Sequence, residues 1–148
     1  REPILHNLKK RLAAAGIKQY KSFIADLASP PPDSRLLTPD SYDLIIADVP
    51  CTGSGTWSRT PEQLCFFDPK KITEYAGLQK EILKNALTRL RPGGYLLYIT
   101  CSVFKRENDE MAEFLKEKFH LQLLKMEYLE GYDKKADTMF AALLQQPL

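Results

Sequence analysis

Two short apolar runs constrain this chain more than any other feature. Residues 42–49 read YDLIIADV and residues 95–100 read YLLYIT. Neither alternates polar and apolar positions, the pattern of a strand buried on both faces of a parallel sheet. Parallel neighbours need a crossover, usually a helix. The sequence between them supplies one. Asp68 suits an N-cap, Pro69 suits the first helical position, and Ile72, Tyr75, Ala76, Ile82, Leu83, Ala86, Leu87 and Leu90 form one apolar stripe. Gln79 falls inside that stripe, either at its edge or as a partly buried amide positioning a loop. Arg91-Pro92-Gly93-Gly94 stops the helix before the second run.

The flanking segments extend the same alternation. Pro3 to Ala15 carries leucines at helical spacing and Gly16 is a stop signal. Tyr20 to Ala25 reads as a short strand ending at Asp26, followed by a breaker-rich loop from Ser29 to Asp40. Cys51 to Phe67 has no period and reads as a long loop, a kind of segment that is often functional. Glu107 to Phe119 is a further helix with Met111, Phe114 and Leu115 inward. Leu121 to Tyr128 and Thr138 to Gln145 read as late strands. The expected architecture is one α/β domain with an open, mostly parallel sheet. In such sheets ligands bind beyond the carboxyl ends of the strands, where Asp26, Asp48 and both Cys51 and Cys101 fall.

Composition excludes several classes. With 44% hydrophobic and 27% charged residues among 148, the chain has ordinary globular usage. No stretch approaches the ~20 apolar residues of a membrane span. The net charge of +2 excludes a strongly basic nucleic-acid coat but permits local basic patches. Three cysteines without a CxxC pair, and two distant histidines, argue against a disulfide framework or a metal centre. A reducing, cytoplasmic setting is expected. The chain begins at Arg1 and runs directly into helical sequence, the pattern of a fragment or processed product.

Buried cysteines are usually inert. Two of them at equivalent strand ends, one inside Pro50-Cys51-Thr52-Gly53-Ser54-Gly55, point instead to a shared pocket. Cys65 lacks such a setting and reads as structural. Gly53 and Gly55 permit a tight turn or close backbone approach, but no P-loop lysine accompanies them. Asp26 and Asp48 are either caps of the turns that follow or ligand-binding carboxylates. Arg59, Lys70, Lys71, Lys105 and Arg106 follow the cysteine-bearing strands and suit a phosphate backbone at the pocket mouth, or form a solvated face.

Asp48-Val-Pro-Cys-Thr-Gly-Ser-Gly-Thr56 with Arg59-Thr-Pro61 resembles motif IV of the RNA (cytosine-5)-methyltransferases, and Arg91 to Ser102 resembles their motif VI. Leu78-Gln79, Glu107-Asn108 and Asp137-Thr-Met-Phe140 resemble further family signatures, nearest to the bacterial Sun/Fmu (RsmB-like) 16S ribosomal RNA enzymes. The resemblance implies a Rossmann-like, S-adenosylmethionine-dependent methyltransferase fold and an RNA partner. It implies Cys101 as nucleophile towards carbon 6 of cytosine and Cys51 as the group assisting release. Asp48 would serve both catalysis and cofactor, Asp26 and Pro50 the cofactor, and Arg59, Lys105 and Arg106 the RNA. Lys105 stands where the family usually has proline. A different thiol enzyme would need a histidine near a cysteine, and His6 and His120 lie far from both. A degenerate RNA-binding or ribosome-assembly module is the non-enzymatic alternative.

By the family pattern, the glycine-rich cofactor loop, the first two strands and an N-terminal RNA-binding domain are expected upstream of Arg1. Residues 1–148 are then an incomplete catalytic domain, inactive alone, marginally stable and a poor binder of the cofactor. Titration of the 148-residue chain with S-adenosylmethionine checks this, and tight binding would overturn it.

Overall fold

A computed structural model describes residues 2–29 and 41–148. Most of the expected breaker loop, Pro30 to Asp40, lies outside the described residues. Helices are α1 (Glu2–Ala14), α2 (Lys70–Leu87) and α3 (Asp109–Phe119); strands are β1 (Tyr42–Asp48), β2 (Leu90–Thr100), β3 (Gln122–Leu129) and β4 (Met139–Gln145). The sheet order is β1-β2-β4-β3. The β1–β2 pair is parallel, while β4 runs antiparallel to both β2 and β3. Three strands therefore run one way, with a reversed strand inserted between two of them.

Local chemistry explains the element ends. Gly16, at φ 72°, closes α1 with Gly16 N–H on Ala13 O and Ile17 N–H on Leu12 O, the Schellman pattern. The Asp68 carboxylate accepts the Lys70 N–H at 2.9 Å, so it caps α2 as expected. The expected loop from Cys51 to Phe67 contains two 3₁₀ turns, Ser54–Thr56 and Pro61–Phe66. Glu107 closes a separate 3₁₀ turn, Lys105–Glu107, and α3 starts two residues later than its pattern suggested.

The α2–β1–β2–α3 core occupies one side of the sheet. Leu83 and Leu87 of α2 and Met111, Ala112 and Leu115 of α3 cover Leu96 and Tyr98 of β2 and Phe140, Ala142 and Leu144 of β4. The alternation along β2 and β4 follows from the two-residue period of a strand. On the opposite face Leu44 is 48% exposed and Ile46 is 61% exposed. This corrects the expectation of burial on both faces for β1. An isoleucine-rich run identifies a strand, but what covers each face depends on elements distant in sequence.

Two further expectations change. The second run begins at Leu90 rather than Tyr95, because Arg91 to Gly94 bulge out between the pairs Tyr42–Leu90 and Leu44–Tyr95. Gly93 takes φ 75°, and its N–H reaches Gln146 O at 3.0 Å, tying the bulge to the end of β4. Tyr20 to Ala25 forms no strand among the described residues. The segment just after it is held by a side chain on α2: Asn85 Nδ2 donates to Leu27 O at 2.8 Å and Ser29 O at 3.0 Å.

Leu83 is fully buried between α2 and the sheet. Leu83→Ala should lower stability by about 2–5 kcal/mol, seen as a lower urea midpoint with an unchanged slope.

Candidate active site

The parallel register sets Asp48 beside Ile99, so β1 and β2 end together. Chain continuation beyond each end brings Cys51 and Cys101 into contact, with their sulfurs 3.3 Å apart. Both are half-buried free thiols. The hydrogen bond from Cys51 stabilises the ionised form of Cys101 and holds that thiol down at about 7, against the opposing effect of burial. Cys51 moves the other way, well above the usual thiol range, through the same hydrogen bond and then through burial. The pair therefore holds one acidic, nucleophilic sulfur and one sulfur that keeps its proton.

Beneath the pair lies a polar network built around Glu107, which is fully buried. Its carboxylate accepts the Thr52 N–H at 2.9 Å, the Thr52 hydroxyl at 2.6 Å and the Ser102 hydroxyl at 2.5 Å. Gln79 is also fully buried, and its Nε2 donates to Pro50 O at 2.9 Å. The Tyr98 hydroxyl lies 3.1 Å from Gln79 Oε1 and 2.5 Å from the Glu107 carbonyl oxygen. Gln79 is thus the loop-positioning amide of the two readings the sequence left open. Asn108 extends the network, accepting the Thr100 hydroxyl at 2.6 Å and donating to Ser102 O at 2.8 Å. Among the described residues no buried side-chain polar atom lacks a partner.

Gly55 clamps the Cys51 loop from the other side. Its N–H donates to Cys101 O at 2.8 Å, and its carbonyl accepts the Thr138 N–H at 3.0 Å. A Cβ here would lie 2.0 Å from Thr138 O, so no other residue fits without moving backbone. The close backbone approach expected of this glycine is real, and it is made to the protein itself.

The expected site residues fall into three groups. Asp26, Asp48 and Pro50 line one open cleft of about 340 Å³, floored by Ile45, Ala47 and Ile82. Asp26 accepts the Ala28 N–H at 2.9 Å, so it caps its own turn while also facing this cleft. The Asp48 carboxylate is exposed and has no hydrogen-bond partner among the described residues. Arg59 makes a two-pronged ion pair with Asp137, at 2.6 and 2.7 Å, which raises the arginine and lowers the aspartate from their ordinary pKa values. Arg106 donates to the Thr73 hydroxyl at 2.9 Å, and Lys105 is exposed beside it. Cys65 is exposed on a 3₁₀ turn, which corrects its reading as a structural cysteine. None of the residues of that turn is buried, so it offers no packed position for a thiol. Ser54, Ser102 and Thr52, which bind the two loops together, gave no sequence signal beyond small polar residues beside the cysteines.

Among the described residues no group of three His, Cys, Asp or Glu side chains could hold a metal ion. Nor is any described helix long and apolar enough to cross a membrane.

Solved structures define the class. The crystal structure of PH0851 superposes with TM-score 0.81 at 30% identity, over 96% of this chain and 34% of that one. NSun6 from Pyrococcus horikoshii, solved with SFG, shares the fold at TM-score 0.79 and 23% identity, over 96% of this chain and 38% of that one. The fold is the Rossmann-like fold of S-adenosylmethionine-dependent methyltransferases. Within that class the chain belongs to the family described as 16S rRNA methyltransferase RsmB/F, whose profile matches residues 3–145. Ribosomal RNA small subunit methyltransferase F of Escherichia coli O6:H1 is 38% identical over 82 residues, which is 55% of this chain and 17% of that protein. The matched segment is therefore under a fifth of that relative's length.

The acidity of Cys101 is directly measurable. Its alkylation by iodoacetamide, followed peptide by peptide, should be half-maximal near pH 7. Cys51→Ala removes the hydrogen-bond donor and should move the midpoint up towards the ordinary thiol value of about 8.5.

Proposed function

We propose that residues 1–148 form part of the catalytic domain of an enzyme that methylates carbon 5 of a cytosine in RNA, with 16S ribosomal RNA as substrate. The observation that carries this reading is the thiol pair: two sulfurs 3.3 Å apart, one of them acidified to about 7, at the carboxyl ends of adjacent strands. Family membership and the fold support the substrate class and the cofactor.

The residues fit a cofactor of this kind. The cleft beside Asp48 joins an apolar floor to two carboxylates, a set of acceptors suited to the hydroxyls, amines and positive charge of an adenosine with a charged amino-acid tail. Asp26, Asp48 and Pro50 would hold it. S-adenosylmethionine supplies, when bound, an electrophilic methyl group.

The chain's own residues supply the rest. The Cys101 thiolate adds to carbon 6 of cytosine, forming a carbon–sulfur bond and moving the electron pair of the 5,6 double bond to carbon 5. Carbon 5 is then nucleophilic and takes the methyl group. Loss of the carbon 5 proton to a base re-forms the double bond and expels the Cys101 thiolate. Thiolates both attack and leave well, as a reversible covalent step requires. The hydrogen bond to Cys101 is the largest effect keeping Cys51 protonated. Once the Cys101 sulfur is bonded to carbon that effect is gone, so Cys51 releases its own proton to solvent and, as the thiolate, takes the proton from carbon 5. Asp48 helps hold the base, and Lys105, Arg106 and the Arg59–Asp137 pair face the RNA backbone.

A denaturing gel tests the assignment, using the longest polypeptide that carries residues 1–148, RNA containing cytosine, and S-adenosylmethionine. A covalent protein–RNA adduct should accumulate in Cys51→Ala and vanish when Cys101 is also replaced. An adduct that depends on Cys51 would reverse the two roles. Bound RNA without an adduct in any variant would point to a binding module.

A further inference from the structure

A second recess adjoins the thiol site, and the chemistry above does not use it. Its walls include Thr52, Trp57, Gln63, Phe66, Phe67 and Tyr75. Thr52 directly follows Cys51, and Phe104, three residues beyond Cys101, stacks on Phe67 at 5.4 Å and 12°. Trp57 packs edge-on against both Phe67 and Phe104, at 4.9 and 6.0 Å. Phe66 is 81% exposed at the rim, an unusual position for so large an apolar ring.

The polar groups of the recess divide cleanly. Its charged walls are already engaged: Asp68 caps α2, and Lys71 pairs with Glu74 at 2.6 Å. The Trp57 indole N–H, the Gln63 amide and the Tyr75 hydroxyl have no hydrogen-bond partner among the described residues. Aromatic faces with neutral donors and acceptors suit an uncharged heteroaromatic ring better than a phosphate. The volume of about 180 Å³ is the size of one such ring. It slightly exceeds a cavity of about 150 Å³ known to take benzene.

Resting on the proposed RNA cytosine chemistry, we infer that this recess holds a nucleobase adjacent in the RNA to the target cytosine. A target base must leave its stack to reach Cys101, which strips its neighbour of a stacking partner. Phe66 and Trp57 replace that partner, and Gln63 reads the edge of the ring. The recess thereby contributes to the choice of sequence around the methylated position.

Trp57 is the only tryptophan of this chain, so stacking can be read by its fluorescence. Short RNAs carrying one cytosine, each with a single base removed at a defined position, are titrated against the protein, with binding followed separately by anisotropy. Quenching should disappear when one base flanking the cytosine is removed. Phe66→Ala should weaken binding of the intact RNA by about 5- to 150-fold, the range for loss of one base–aromatic stack. The same variant should cost nothing with the RNA lacking that flanking base. The inference is overturned if quenching depends on the cytosine itself, if bound RNA leaves Trp57 unquenched, if Phe66→Ala weakens all RNAs equally, or if no RNA binds. Failure of the covalent chemistry is seen separately, as absence of the adduct in Cys51→Ala.

Discussion

The buried Glu107 carboxylate is the interaction on which the site depends. A carboxylate inside a protein is costly unless its oxygens are satisfied, and here the Thr52 N–H and hydroxyl and the Ser102 hydroxyl converge on it. Those donors come from two loops, Thr52 after Cys51 and Ser102 after Cys101. Satisfying one buried side chain therefore fixes the separation of the two sulfurs. Gln79 of α2 reaches the same carboxylate at 3.5 Å and Pro50 O at 2.9 Å, and Tyr98 of β2 donates to the Glu107 backbone carbonyl, so the reactive loops are anchored to the packed core rather than to each other alone.

Position and acidity then reinforce one another. The sulfurs meet because parallel strands end in register, and Cys101 becomes acidic because the sulfurs meet. No cationic side chain is needed to activate the nucleophile. The basic residues nearby remain available for other tasks, and Arg59 is itself neutralised by Asp137.

Much of this was legible in the sequence, for physical reasons. Dense apolar runs bounded by Pro and Gly mark β1 and β2, and a sustained 3.6-residue stripe marks α2. Strand ends in an open α/β sheet are where sites form, which singled out Cys51 and Cys101. The failures are equally physical. Tyr20 to Ala25 has strand propensity, but propensity alone does not bring a segment into register with a partner, and among the described residues it stays unpaired beside the free edge of β1. The exposed side of β1 could not be foreseen from Ile45 and Ile46, because cover for a face comes from other elements. Glu107 was placed at a helix start, where an acidic residue normally helps the dipole at the surface. Nothing in its neighbours announced that Thr52, 55 residues away, would converge on it together with the nearby Ser102. Cys65 carried no local signal separating a packed thiol from an exposed one.

The clamp at Gly55 has a consequence for synthesis. Thr138, which it grips, leads into β4, and β4 fills the gap between β2 and β3. During synthesis both cysteine loops are made before that strand. Until β4 is inserted, the loop carrying Cys51 lacks one of its two backbone supports. The clamp that steadies the Cys51 loop is thus completed by the last strand of the sheet, although both cysteines follow the first two strands.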